Sequence, residues 1–437
     1  MHGIKQRLFS FFTAAGFFGL LSASESHQIK LSLDKSDGVY KKGDTVRLSI
    51  DYRINGKPAD GVLKIHLFHQ NGTQTSVDFP VSQKVFATEL KSGTIRFVVE
   101  AQGADGKVIR YQEGKQEKTV SASIGVIADP EEIRPILPEP ADFQQFWDQA
   151  RAELAKVPMK VKRTEAEVPK ARQGEFQCWD VQVDCAGNAP VSGYLTLPVK
   201  AEPKSLPAVV SFQGGGVYSG WKQFNPGAIV FNINAHGIAN GQPKSFYAEL
   251  SKTKLLNYWT RNSDSRDQFY FRNMFLRVQR ALDFVKTLPE YDGKTLIVFG
   301  SSQGGAQALV AAGMDPDVVL VGAQVPSMGD LGGILAGRPS GWPRLIEVKD
   351  GKVVNPEIVK TLPYYDMAFF AKRIRAEVYF TVGLIDTTCC PTSVYAAFNC
   401  VPGRKHMTTM PDEGHTGKWD QAFTQRIQDL TRPRQKK

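Results

Sequence analysis

From Gln28 to Val126 the chain alternates apolar and polar positions in short runs: IKLSL (29–33), TVRLSIDYRI (45–54), GVLKIHLFHQ (61–70), GTIRFVVEAQG (93–103) and TVSASIGVIA (119–128). Turn signals separate the runs at Ser36-Asp-Gly38, Lys42-Gly-Asp44, Asn55-Gly56 and Asn71-Gly72. A period of two turns one face of each strand inward and leaves the other to water. Short strands at this spacing predict a small antiparallel β-sandwich of immunoglobulin-like type over residues 25–127. It holds no set of residues suited to catalysis, so a structural or spacer role is the expectation, ahead of carbohydrate binding.

The pattern then breaks. In ADPEEIRPILPEPADF, Pro130, Pro135, Pro138 and Pro140 deny the backbone the donors a sheet needs, which predicts a stiff, extended linker over 128–141. A helix is expected from about Asp142 to Leu154, opening a second unit at 142–437. Beyond it the apolar runs are continuous: PAVVSF (207–212), AIVFNIN (228–234), TLIVFG (295–300), VVLVGAQV (318–325) and EVYFTVG (377–383). Strands without alternation are covered on both faces. Between them, NMFLRVQRALDFVKTL (273–288) sets Met274, Val278, Ala281, Leu282 and Val285 on one helical stripe. Alternating strands and helices predict an α/β fold, a doubly wound and mostly parallel sheet of α/β-hydrolase type.

The first residues need separate treatment. Lys5 and Arg7 precede an apolar run from Leu8 to Leu21, and Ser22-Ala23-Ser24 follows as a small-residue cleavage site. Residues 1–24 therefore read as a signal peptide, with a secreted or periplasmic product and no stable membrane insertion after cleavage. The 54 basic and 44 acidic residues give a net charge of +10. These charges are scattered, without a basic helix or interleaved aromatics, so the expectation is no nucleic acid partner. Five cysteines leave at least one free thiol in an exported chain; a Cys178–Cys185 or a Cys390–Cys400 bridge fits the spacing, and buried free thiols fit it equally well. None has CxxC spacing, so no metal and no cofactor is expected.

The candidate chemistry starts at LIVFGSSQGGAQALV (296–310). A strand ends at Gly300, and a helix begins near Gly304. Gly300-Ser301-Ser302-Gln303-Gly304 has the G-x-S-x-G form of a nucleophile elbow, a strained corner that lifts a serine above the strand ends. A serine needs a histidine base and an acid to orient it, following in the order Ser, Asp or Glu, His. Of the seven histidines, only His406 and His415 come after Ser302. His415 lies in the polar loop PDEGHTG before a final helix and is the candidate base; His406 reads as structural. Asp386, just past the strand VYFTVG, is the candidate acid. Oxyanion donors are the backbone N–H of Gln303 and one from the loop SFQGGGVYSG, at Gly214 or Gly215.

These pieces resemble the acetylxylan esterase/cephalosporin deacetylase family, carbohydrate esterase family 7, from about Pro138 to Asp420. The most specific matches are GSSQGG (300–305), TLPYYDMAFFAKRI (361–374) with VYFTVGLIDTTCCPTSVYAAFN (378–399), and the Gly-His of DEGHTG. The resemblance implies a triad of Ser302, Asp386 and His415 and an oxyanion hole at Gly215 and Gln303. It also implies acetyl removal from an acetylated carbohydrate, and a homo-oligomer is compatible with it. Three positions depart from the family pattern: His236-Gly237 stands where Arg-Gly-Gln is usual, Thr416 where Glu follows the histidine, and Gln213-Gly214-Gly215 where His-Gly-Tyr is usual.

Tyr218, Trp221, Trp342 and His236 are candidate sugar or acyl contacts. Two rival readings accompany the esterase. A peptidase of prolyl-oligopeptidase type shares the elbow, but residues 25–127 are too few for its propeller. A non-catalytic carbohydrate-binding protein on a hydrolase scaffold would not need the full triad.

Overall fold

The structure, a computed structural model, describes residues 26–432 apart from 92, 104, 114–115, 188 and 416–417. The segment read as a signal peptide lies outside the described residues. Among the described residues no helix is long and apolar enough to cross a membrane.

One large sheet organises the C-terminal part. Its nine strands lie in the spatial order Val161–Glu165, Phe176–Val183, Val191–Pro198, Ile229–Ile233, Leu206–Phe212, Tyr291–Ser301, Val318–Gln324, Glu377–Gly383 and Lys405–Met410. The first four pair antiparallel, and the pairs from Ile229–Ile233 onward are parallel. All five continuous apolar runs of the sequence fall in this parallel part. Their burial explains the lack of alternation: Ala208, Val210 and Phe212 join the large cluster on one face, and Val209 with Val230 and Ile297 a second cluster on the other. From Leu206–Phe212 the chain passes to a neighbour on one side and later to Tyr291–Ser301 on the other. Beyond the carboxyl ends of such strands lies the crevice where α/β sheets bind ligands.

The helix Tyr270–Lys286 departs from the single-stripe expectation. It is buried nearly all round, including Arg277, Gln279 and Arg280. The two arginines are tolerated because their guanidinium groups donate to carbonyls: Arg277 to Ala235 at 3.0 Å and Arg280 to Val157 at 2.9 Å.

Among the described residues the N-terminal part forms two main sheets and a separate two-stranded pair, Arg110–Glu113 with Gln116–Thr119. One main sheet contains His27–Leu33, Thr45–Ile54, Lys57–Pro58 and Val85–Glu89; the other contains Val39–Tyr40, Ser121–Ala128, Thr94–Ala101, Val62–His69 and Gln74–Pro80. Alternation is strict in Thr45–Ile54, where Val46, Leu48, Ile50 and Tyr52 are buried and the residues between them are exposed. These residues share one buried cluster with Leu63, Ile65, Phe97 and Val126 from the second sheet.

The proline-rich connection lies against the larger unit. Asn399 Nδ2 donates to the carbonyls of Pro130 at 2.7 Å and Ile133 at 2.9 Å. The Ile136 N–H donates to the Asp330 carboxylate at 2.8 Å. All five cysteines are free thiols, so neither pairing allowed by the spacing is formed.

Candidate active site

Ser302 sits at the junction between the strand Tyr291–Ser301 and the helix Gln303–Met314 with φ 57° and ψ −122°. A non-glycine residue held there stores roughly 1–3 kcal/mol of strain, retained only where the surroundings dictate it. Two glycines let the corner close. A Cβ on Gly300 would stand 2.4 Å from the Gly304 carbonyl carbon, and one on Gly304 would stand 2.3 Å from the Phe212 oxygen. The Ser302 N–H is anchored on the Gln324 carbonyl at 2.9 Å.

The loops after two neighbouring strands bring the other groups to it. His415 Nε2 is 2.9 Å from Ser302 Oγ, and His415 Nδ1 is 2.8 Å from Asp386 Oδ2. An ionised carboxylate only accepts, so Nδ1 carries the proton and Nε2 is left to accept from the serine hydroxyl. Asp386 is held in turn: its Oδ1 accepts the backbone N–H of Thr388 at 2.7 Å and of Cys389 at 3.0 Å. Asp386 is buried, whereas the His415 side chain is 30% exposed, so the base is reachable from solvent and its orienting acid is not. Cys389 Sγ lies beside this pair, within 4.8 Å of ligand atoms of Asp386 and His415. Burial, reinforced by the charge of Asp386, pushes its thiol well above its ordinary value.

The loop after Leu206–Phe212 completes the corner. Gln307 Nε2 donates to the Gln213 carbonyl at 2.9 Å, tying this loop to the helix that begins at Gln303. Among the described residues, the backbone N–H groups of Gly215 and Gln303 have no acceptor within the protein. Ser302, His415, Gly215, Tyr258, Trp259 and Trp342 line a cavity of about 240 Å³.

Five sequence candidates thus meet at one place: Ser302, Asp386, His415, Gly215 and Gln303. Of the four weaker ones, only Trp342 lines the cavity. Tyr218 and Trp221 stack on each other nearby, with centroids 5.8 Å apart and planes at 8°. His236 is buried behind the loop and holds it: Nε2 donates to the Gly216 carbonyl at 2.8 Å, and Nδ1 is 2.8 Å from the Tyr270 hydroxyl. Burial lowers its pKa from 6.5 to about 4, so the ring is neutral and one nitrogen must accept. A sugar contact through His236 is therefore replaced by a bond to the loop's backbone. Sequence reasoning missed Tyr258, Trp259 and Thr388, which also line the cavity. The signal available was the aromatic pair in NYWTRNSD (257–264), set in a polar segment without periodicity.

Residues 127–429 match the model of the acetyl xylan esterase (AXE1) family. The chain is 29% identical over 403 residues to acetyl esterase Axe7A of Xylanibacter ruminicola, covering 90% of this chain and 88% of that protein. Among solved structures it is similar to acetyl xylan esterase 1 from a Thermoanaerobacterium species, with a TM-score of 0.58 and 25% identity over 69% of this chain and 96% of that one. An acetyl xylan esterase from a Paenibacillus species gives a TM-score of 0.55, at the same identity and coverage.

Proposed function

Because the chain belongs to the acetyl xylan esterase family and is a carboxylic ester hydrolase, we propose that it is an exported serine esterase. It removes acetyl groups from carbohydrate such as acetylated xylan or xylo-oligosaccharides. The observation that carries this reading is the hydrogen-bonded line Asp386–His415–Ser302, opening into a small cavity walled by aromatic rings.

Ser302 Oγ attacks the acetyl carbonyl while His415 Nε2 takes its proton. Asp386 keeps the imidazole in the correct tautomer and stabilises the imidazolium. The N–H groups of Gly215 and Gln303 receive the oxyanion, each worth about 10²–10³ in rate. Collapse of the tetrahedral intermediate expels the sugar oxygen, which His415 protonates, and leaves acetyl on Ser302. Water, deprotonated by His415, repeats the sequence and releases acetate. A small cleft of about 240 Å³ lined by Tyr258, Trp259 and Trp342 suits a short acyl group. The basic, apolar and small-residue order of residues 1–24 supports export.

The test is acetate release from acetylated xylan, with peptide mapping after treatment with a fluorophosphonate. Acetate release and a phosphonylated Ser302 support the reading. Acetate release with the label elsewhere, or no release, overturns it.

A further inference from the structure

The turns that carry Asp386 and His415 leave adjacent parallel strands, Glu377–Gly383 and Lys405–Met410, at the same end. They are tied to each other: the Leu384 N–H donates to the Met410 carbonyl at 2.9 Å, and the Ile385 N–H to the Glu413 carbonyl at 3.3 Å. Residues of the N-terminal sheets cover this pair of turns. Gly125, in the strand Ser121–Ala128, donates its N–H to the Pro411 carbonyl at 2.8 Å. A Cβ on Gly125 would stand 2.4 Å from the Leu384 carbonyl oxygen. Gly38, at φ +69°, would place a Cβ 2.7 Å from Leu384 Cδ1, 2.9 Å from the Gly125 carbonyl oxygen and 3.2 Å from Pro411 Cγ. The two glycines are linked through Ile127, whose N–H donates to the Gly38 carbonyl at 3.0 Å.

Leu384 stands two residues before Asp386, and Pro411 four before His415. A spacer has no need to approach both turns so closely that side chains are excluded. The family match begins at residue 127, so Gly38 and Gly125 both lie outside the matched region. We infer that Gly38 and Gly125 are positioning residues. The N-terminal part clamps the Leu384 and Pro411 turns and so keeps Asp386 and His415 in line with Ser302. This inference rests on the triad reading above. Displacing a catalytic group by about 1 Å costs on the order of 10²-fold in rate, so a clamp at these turns acts directly on turnover.

A matched pair of substitutions tests it. Gly43 lies in the same N-terminal part at φ +89°, and a Cβ there would meet nothing within 4 Å. Gly38→Ala and Gly43→Ala both place a side chain at positive φ, but only the first presses on Leu384, Pro411 and the Gly125 carbonyl that the clamp is built from. Both are made in the full chain, together with Gly125→Ala. The readouts are kcat and KM on p-nitrophenyl acetate, thermal midpoint, and the downfield proton resonance of the His415–Asp386 hydrogen bond. Gly38→Ala and Gly125→Ala are expected to lower kcat about tenfold or more and to shift that resonance, with KM changed less than about twofold. Gly43→Ala is expected to keep wild-type kcat and resonance even where its thermal midpoint falls. Unchanged kcat and resonance in Gly38→Ala, or an equal loss in Gly43→Ala, overturns the inference. Gly125→Ala meets backbone and is the harsher change; if it does not fold, the Gly38 and Gly43 pair decides. Activity that survives Ser302→Ala would instead remove the triad reading itself.

Discussion

The Tyr258 hydroxyl donates to Gln303 Oε1 at 2.6 Å, joining the aromatic wall of the cavity to the first residue after the nucleophile. The same hydroxyl is 3.5 Å from the Gly216 N–H. Burial pushes the Tyr258 phenol well above its ordinary value, so it stays a donor across the working pH range.

Tyr258→Phe leaves a buried amide oxygen without this partner, a penalty of about 1–3 kcal/mol. If the tie orders the start of the helix, kcat/KM for acetyl esters falls about tenfold to a hundredfold with the fold intact. Steady-state kinetics checks this, and an unchanged kcat/KM would show that Gln303 needs no such support.

Asp386→Asn keeps an oxygen for the Thr388 and Cys389 N–H groups, so the loop survives. The amide favours the wrong imidazole tautomer, and such a change lowers kcat by about 10⁴. A loss smaller than about tenfold would mean that Asp386 does not orient the base.

The hydrogen-bonded set of Ser302, Asp386 and His415 was legible because its signals are local or depend on chain order. Gly300 and Gly304 mark a corner that only glycine permits, and elimination among the histidines needs no structure. The cavity wall was not legible, because Tyr258 and Trp259 lie in a segment whose course is set by distant partners rather than by its own periodicity. The role of His236 was hidden for a similar reason: Gly216 and Tyr270 are 20 and 34 residues away. The strands Phe176–Val183 and Val191–Pro198 were not read either, since their buried positions mix with polar residues such as Gln182, Ser192 and Thr196. Likewise, nothing in the N-terminal sequence pattern reveals that Gly38 and Gly125 face Leu384.

His236 also makes stability depend on pH. The folded protein holds the neutral ring, with its pKa lowered by burial from 6.5 to about 4. Between these values the unfolded chain binds a proton that the folded chain refuses, so stability falls as pH drops. The full effect is about 3 kcal/mol and is absent above pH 6.5 or so. Urea unfolding at pH 7 and pH 4.5 should show a larger acid loss in the wild type than in His236→Gln. Equal losses would place the acid sensitivity elsewhere.

The most direct measurement is hydrolysis of p-nitrophenyl esters of increasing acyl length by the wild type and by Ser302→Ala. Rapid turnover of the acetate, a steep decline as the chain outgrows the cavity, and loss of turnover in Ser302→Ala are expected. Activity that survives the substitution, or that rises with acyl length, would contradict a short-acyl serine esterase.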